Sequence, residues 1–445
     1  IEAPAGTVIE FGYGEQLTGG RVNPWITLSA GQSCNMDRYI ARGGRQEFFP
    51  TTPKGMRYIE VHVHAPAAHV KFVRQEFVER TYFGHGQGSF SCSDRFFDNI
   101  WRVGVETFRA CTEDAITDNP TRERGQWTGD VVSVGMDINA VVYNDLRLVR
   151  RGLQQSAWSA RDDGLVAGMS PGGSIYLSTY AAQWVDACVH YYELTGDRAL
   201  LEELFSAAVR NLAALEKHLT PDGLSDEAGW AFIDWGYVRN EGPSDMGLNL
   251  HYLSALEAMV RWCRFLDKPT DAERYAALAE RVRGIIRAYL EPILAESAFE
   301  ALGYQRTTLA LRAGLIPREQ EATAVAFMKA HILSCFPNHP HAPRLSHPGA
   351  ANEQLITPYF AHYAFPELIK RGEMEFVLNQ YRTCWGWMME RSRTWLEVFD
   401  TRWSHCHQWS GAPTWQLSRY VLGLHPRFDL GERHYVLDLQ PGSLT

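Results

Sequence analysis

The chain has 445 residues, with 43 basic against 52 acidic side chains for a formal charge of −9, and is 45% hydrophobic and 21% charged. Those proportions are typical of a folded globular protein and exclude a disordered, collagen-like or coiled-coil chain. An acidic balance with no basic run speaks against a general nucleic-acid or anionic-membrane binder, and no apolar run is long enough for a spanning helix.

Residues 1–88 read as a small β-sandwich-like unit. Short runs at 7–13, 37–40 and 57–64 carry Val, Ile, Phe and Tyr, and glycines such as Gly12, Gly14, Gly19, Gly20, Gly43 and Gly44 punctuate them. In Tyr58–His64 the apolar Ile59, Val61 and Val63 alternate with polar neighbours, as on a half-buried strand. Near Ser91 the period changes. Ser93 or Asp94 can cap a helix, and from there to Gly423 one helix follows another: 94–111, 130–143, 146–161, 176–195, 198–218, 246–266, 270–291, 302–312, 318–333, 355–369, 373–390 and 409–422. Twelve helices joined alternately by short turns and long loops, with no solenoid repeat, predict six hairpins closed into an (α/α)6 barrel over 89–425. The long loops are 112–129, 162–175, 219–245, 334–354 and 391–408, and a closed ring gathers loops of this kind at one end. The segment 426–445 ends the chain as a β segment, since 432–441 alternates like a strand.

The eight cysteines include no CxxC pair and mostly sit in apolar helical patterns, so they read as buried free thiols. No targeting segment stands in the sequence as given, which describes a soluble chain with its compartment and oligomeric state open.

Three loops concentrate unusual residues. Residues 117–130 hold Asp118, Glu123 and Asp130 with Arg122, Arg124 and Trp127. Residues 393–409 hold Glu397, Asp400, Trp403, His405, His407 and Trp409. Residues 230–235 place Asp234 beside Trp235. His405-Cys406-His407 has ligand chemistry but no third ligand at a recognisable spacing, so no metal is expected. Aromatics make up 12% of the chain, including 14 Trp, which suits either a large aromatic core or stacking surfaces for sugar rings. Two separated carboxyl groups in a Trp-lined pocket are what glycoside hydrolysis requires, one protonated to donate to the leaving oxygen and one ionised to activate water or attack.

The stretch Asp118–Asp130 resembles the signature loop of bacterial α-L-rhamnosidases, glycoside hydrolase family 78, which runs Asp-Cys-Pro-Gln-Arg-Asp-Glu-Arg-Leu-Gly-Trp-Thr-Gly-Asp. The matches are Asp118, Pro120, Arg122, Glu123, Arg124, Trp127, Thr128, Gly129 and Asp130. Further resemblances follow in order: 11–19, 37–44 and 56–61 in the β unit, then Thr357–Phe360, Thr394–Glu397 and Ser404–His407. The chain departs from the pattern at Asn119, Thr121 and Gly125-Gln126, lacks one residue between Arg122 and Glu123, and has Val398-Phe399-Asp400 after Glu397. The resemblance implies an inverting hydrolase that releases terminal α-L-rhamnose from glycosides or polysaccharide fragments, with no cofactor, nucleic-acid or membrane partner. Glu123 would be the general acid and Glu397 the general base. Asp118 and Asp130 would bind sugar hydroxyls and raise the Glu123 pKa, with Arg122 opposing that shift. Trp127, Asp234, Trp235, Trp403, His407 and Trp409 would complete the sugar pocket. Two alternatives stay open at this level. One is another six-hairpin glycosidase, such as an unsaturated glucuronyl hydrolase using Arg122, Arg124 and Arg239 or an enzyme for a different deoxysugar. The other is a non-catalytic carbohydrate-binding relative.

Overall fold

The computed structural model describes residues 1–24, 35–82, 88–143, 145–173, 175–347, 352 and 354–445. Cys34 and parts of the expected loops 162–175 and 334–354 lie outside the described residues, and the seven described cysteines are free thiols.

The N-terminal unit is built on a three-stranded antiparallel sheet. Val8–Gly14 is its middle strand, between Met36–Ile40 and Tyr58–His64. Two-residue ribbons join Glu2–Ala3 to Gly44–Arg45 and Leu17–Thr18 to Arg21–Val22. The alternation at 58–64 was expected to bury one face, yet Val61 is 38% exposed. Tyr58–His64 is an edge strand, and ion pairs line its surroundings: Glu60 with Arg21, and Glu10 with His64 at 2.8 Å. The alternation there records the pleat and not a core.

The barrel follows from two kinds of helix. Arg95–Ala110 buries Phe97, Ile100, Trp101, Gly104 and Phe108 at helical spacing and keeps a polar outer face. Its start is fixed by Asp94, whose carboxylate accepts from the Phe96 N–H at 2.9 Å. Ser178–Thr195 and Met246–Phe265 are buried nearly all round, which marks them as inner helices. Among the described residues, the inner helices are Gly135–Val142 with the preceding turns Thr128–Val134, then Ser178–Thr195, Met246–Phe265, Tyr304–Arg312, Ala361–Ile369 and Ala412–Gln416. Each packs on the next and the last packs on the first, so the ring closes. Arg95–Ala110, Arg147–Trp158, Arg198–Glu216, Pro269–Glu296, Arg318–Ser334 and Met374–Gln380 lie outside it.

Connections from inner to outer helices are short, such as Gly196-Asp197, whose Asp197 caps the next helix. Connections from outer to inner helices include 111–127, 159–177, 217–245 and 390–411, and all of these arrive at the N-terminal ends of inner helices. The long loops singled out from the sequence therefore share one end of the ring. After the last inner helix, Leu424–Pro426 pairs with Tyr435–Leu437 as a hairpin. The terminal alternating segment thus docks on the barrel, where the Phe428 N–H donates to the Glu193 carbonyl at 2.8 Å.

Candidate active site

The first loop is folded by its own polar side chains. Asp118 closes it: its N–H donates to the Gly125 carbonyl, and its Oδ1 accepts from the Gly125 N–H at 2.8 Å. Inside the turn, Asn119 Oδ1 accepts from the N–H groups of Thr121, Arg122 and Glu123 at 3.1, 2.7 and 3.3 Å. This is an Asx turn that Pro120 helps to set. It leaves the Arg122 side chain directed at the second loop and Glu123 between Arg122 and Trp127. The loop then enters a π-helical stretch, Thr128–Val134, whose first turn carries Asp130.

Arg122 is the centre of the site. Its Nη1 donates to Glu123 Oε1 at 2.7 Å, its Nη2 to Glu397 Oε2 at 2.6 Å, and its Nε to Ser404 Oγ at 3.2 Å. The Arg122 and Glu397 side chains are 3% and 1% exposed, whereas Glu123 is 23% exposed. The second oxygen of Glu123 accepts from the Trp127 indole N–H at 2.8 Å. One guanidinium therefore holds the two sequence-predicted glutamates at one end of the barrel, the more open one beside a tryptophan and the other buried.

The second loop is pinned around Glu397. Its N–H donates to the Ser404 carbonyl at 2.9 Å, and its carbonyl accepts from the Trp409 indole at 2.8 Å. His407 stands between two acids, with Nε2 3.4 Å from Asp130 Oδ2 and Nδ1 3.8 Å from Glu397 Oε2, and its ring centroid is 4.3 Å from that of Trp409. Asp130 Oδ1 also accepts from the Tyr180 hydroxyl at 2.6 Å.

Burial governs the electrostatics. It drives the Asp118 carboxyl well above the usual carboxylate range, and the Glu123 and Asp130 charges push the same way. Burial also pushes Asp130 up to about 8 against the opposing Tyr180 hydrogen bond, and Asp234 up to about 7 against those from Thr357 and Gln305. It lowers His407 to about 4, so the ring is neutral near neutral pH. For Arg122, burial works against the charge, but Glu397, Glu123 and Asp118 outweigh it and hold the guanidinium above its ordinary value. Like charge from Glu123 thus adds to burial in raising both aspartates.

Aromatic rings form one wall. Trp403 lies 5.7 Å from Trp235, with the Arg122 guanidinium 5.9 Å from its ring. Phe232 links Trp230, Trp235, Tyr180 and Trp409. Asp234 sits behind this wall and accepts from Thr357 Oγ1 at 2.6 Å and Gln305 Nε2 at 3.2 Å. Among the described residues no group of His, Cys, Asp and Glu side chains could hold a metal ion, and no helix is long and apolar enough to cross a membrane.

Residues 85–421 match the family model described as the bacterial alpha-L-rhamnosidase 6 hairpin glycosidase domain. The chain belongs to this family. Solved rhamnosidases share the fold. A GH78 family enzyme of Bacillus sp. GL1 is 24% identical with a TM-score of 0.81, over 100% of this chain and 46% of that one. A rhamnosidase from Klebsiella oxytoca with rhamnose bound is 20% identical with a TM-score of 0.75, over 94% and 83%. An α-L-rhamnosidase from Aspergillus terreus is 19% identical with a TM-score of 0.76, over 100% and 53%. The chain thus spans about half the length of two of these three relatives. A search of curated proteins found no match.

Within this rhamnosidase-family barrel, Glu123, Glu397, Arg122, Trp127, Asp130, Trp235, Trp403, His407 and Trp409 join in one contiguous cluster. Asp118 is adjacent but wholly buried, and its second oxygen accepts from Asn119 Nδ2 at 2.6 Å, so it builds the loop and offers no open face to a sugar. Asp234 has a similar supporting position, with both oxygens engaged by protein groups. Tyr180 and Glu15 were not singled out from the sequence, and Asn119 and Ser404 were noted there without a role. The Asn-Pro pair signals the turn that Asn119 makes. Nothing local marks the side-chain contacts of the other three, whose partners in those contacts are 50 or more residues away.

Proposed function

We propose that the chain is an inverting glycoside hydrolase that releases terminal α-L-rhamnose, with Glu123 as general acid and Glu397 as general base. The observation that carries this reading is the placement of the two glutamates on opposite arms of the Arg122 guanidinium. Oxygens bound to the two Nη atoms of one guanidinium stand apart by up to about 7 Å, which reaches the lower end of the roughly 6.5–9.5 Å spacing of an inverting pair. Family membership and the rhamnose-bound Klebsiella relative support the sugar.

In this mechanism the partly exposed Glu123 gives a proton to the glycosidic oxygen as the bond to the anomeric carbon breaks. Water attacks that carbon from the opposite face and passes its proton to Glu397. Arg122 fixes both carboxyls, and in this reading His407 and Asp130 hold hydroxyls. The Trp235, Trp403 and Trp409 wall excludes water and matches the apolar face of a deoxysugar. The uronide alternative needs free cationic groups, but Arg122, Arg124 and Arg239 are all engaged, by Glu123 and Glu397, by Glu113, and by Asp226.

Hydrolysis of an aryl α-L-rhamnoside followed by proton NMR tests the reading. The first sugar to appear should be the β anomer, and α-rhamnose appearing first would overturn inversion. A second assignment of the acid has one observation in its favour: Glu123 already accepts donors on both oxygens, whereas Asp130 carries a pKa near 8. If Asp130→Asn, and not Glu123→Gln, abolished activity on poor leaving groups selectively, Asp130 would be the donor.

A further inference from the structure

Glu15 belongs to the N-terminal β unit, one residue beyond the strand Val8–Gly14, yet its carboxylate reaches both loops of the candidate active site. Its Oε1 accepts from the Thr121 hydroxyl at 2.7 Å, and its Oε2 accepts from the His405 backbone N–H at 2.8 Å. Thr121 immediately precedes Arg122, and His405 immediately follows Ser404, the hydroxyl that Arg122 Nε engages. The carboxylate and the guanidinium thus bridge the same pair of loops side by side, one supplied by the β unit and one by the barrel.

Other contacts bring the β unit to the same place. A Cβ at Gly55 would collide with Thr121 Oγ1 and the Pro120 carbonyl, so the unit rests directly on the first loop. Arg124 Nη1 donates to the Pro53 carbonyl at 3.2 Å, and Arg57 Nη1 to the Arg391 carbonyl, at the start of the second loop, at 3.4 Å. None of these contacts ties one loop to the other. Glu15 does.

We infer that Glu15 is a positioning residue that clips the loop of Glu123 to the loop of Glu397, so that the β unit sets the spacing of the two carboxyls. This rests on the reading of those glutamates as the acid and base. Each bond is charge-assisted, and a partly buried hydroxyl and N–H would lose their acceptor without it. The clip acts on distance and not on sugar contact. Its loss should lower kcat far more than it raises KM, since a misplacement of about 1 Å can cost about 100-fold in rate.

The test compares the intact chain with Glu15→Ala, Glu15→Gln and Thr121→Ala in two measurements. Hydrogen exchange reads the loops without any substrate: in Glu15→Ala, residues 118–127 and 397–407 should both exchange faster while the barrel helices keep their protection. With an aryl α-L-rhamnoside, kcat should fall about 10- to 100-fold in Glu15→Ala with KM within about threefold. Glu15→Gln keeps one acceptor oxygen and should recover part of that loss. The double variant Glu15→Ala/Thr121→Ala should lose less than the two single losses multiplied. Unchanged exchange in both loops, or an unchanged kcat in a folded Glu15→Ala, overturns the inference. Should Glu15→Ala fail to fold, Thr121→Ala carries the same two readouts. If the intact chain cleaves no rhamnoside, the proposed function fails, and the exchange measurement alone still decides whether Glu15 joins the loops.

Discussion

Replacing Arg122 by Met removes the cation that bridges Glu123 and Glu397. The 2.6 Å contact to Glu397 lies between side chains that are 3% and 1% exposed, so solvent cannot take over when the guanidinium is gone. Breaking one side of a buried pair leaves an uncompensated charge and typically costs about 3–5 kcal/mol. At very roughly 2 °C per kcal/mol for a chain of this size, Arg122→Met should melt about 6–10 °C lower near pH 7. The deficit should shrink at acid pH, where the stranded carboxyl can take up a proton. In Arg122→Met/Glu397→Gln no buried charge is left alone, so much of the lost stability should return even though activity does not. Thermal and urea unfolding of the three chains at pH 5 and pH 7 measure this. A loss below about 1 kcal/mol in Arg122→Met, or a double variant weaker than the single, would refute the view that this arginine compensates Glu397.

Glu123→Gln should slow hydrolysis of poor leaving groups by roughly 10²–10⁴-fold and activated aryl rhamnosides far less, while Glu397→Gln should impair both, and parallel kinetics on the two substrate classes check it. Trp127→Phe keeps an aromatic ring but removes the 2.8 Å indole donor to Glu123, and a fall of about 10-fold or more in kcat/KM is expected; a value within twofold of the parent would show that the bond is idle. Asp130 sits near 8 in the folded chain against an ordinary value of 3.8, so between those pH values the folded state holds a proton that the unfolded state has lost. The contribution of Asp130 to stability is therefore fully present below about pH 4 and drains away as pH rises to about 8, at up to ~1.4 kcal/mol per pH unit. Asp130→Asn should escape that loss, so its melting advantage over the parent should grow from pH 4 to pH 8, as calorimetry across that range would register.

The ring of helices was legible because its signals are local. Asp94, one of two caps the sequence offers, starts the first helix, and Gly196-Asp197 breaks the chain between two helices; which helices line the inside of the ring is seen only in the burial of elements such as Met246–Phe265. The two acidic loops were legible as clusters because Trp127 follows Glu123 by four residues and Trp403 follows Glu397 by six. What the sequence could not provide is which acid is buried against what. Asp118 and Asp130 look alike in a string of letters, yet one is consumed in closing a turn and the other faces His407 across 3.4 Å. Val61 shows the converse, since an alternating strand pattern describes a face but not whether anything packs on it. Glu15 was invisible because its two partners lie 106 and 390 residues away, joined to it only by the placement of one domain on another.

The long connections arrive at the N-terminal ends of the inner helices, and this has an electrical consequence for the chemistry. Peptide dipoles aligned along a helix leave about half a positive charge at its N-terminus, and several such ends converge below the candidate site. On their own they would favour an anion and oppose the positive charge that develops on a sugar ring as its glycosidic bond breaks. Four carboxyl groups, Asp118, Glu123, Asp130 and Glu397, stand in the loops above those ends with Arg122 at their centre. Burial raises Asp118 and Asp130 toward the neutral form, so near neutral pH these two act there as hydrogen-bonding groups, and their ionisation at higher pH would add negative charge against the field of the scaffold.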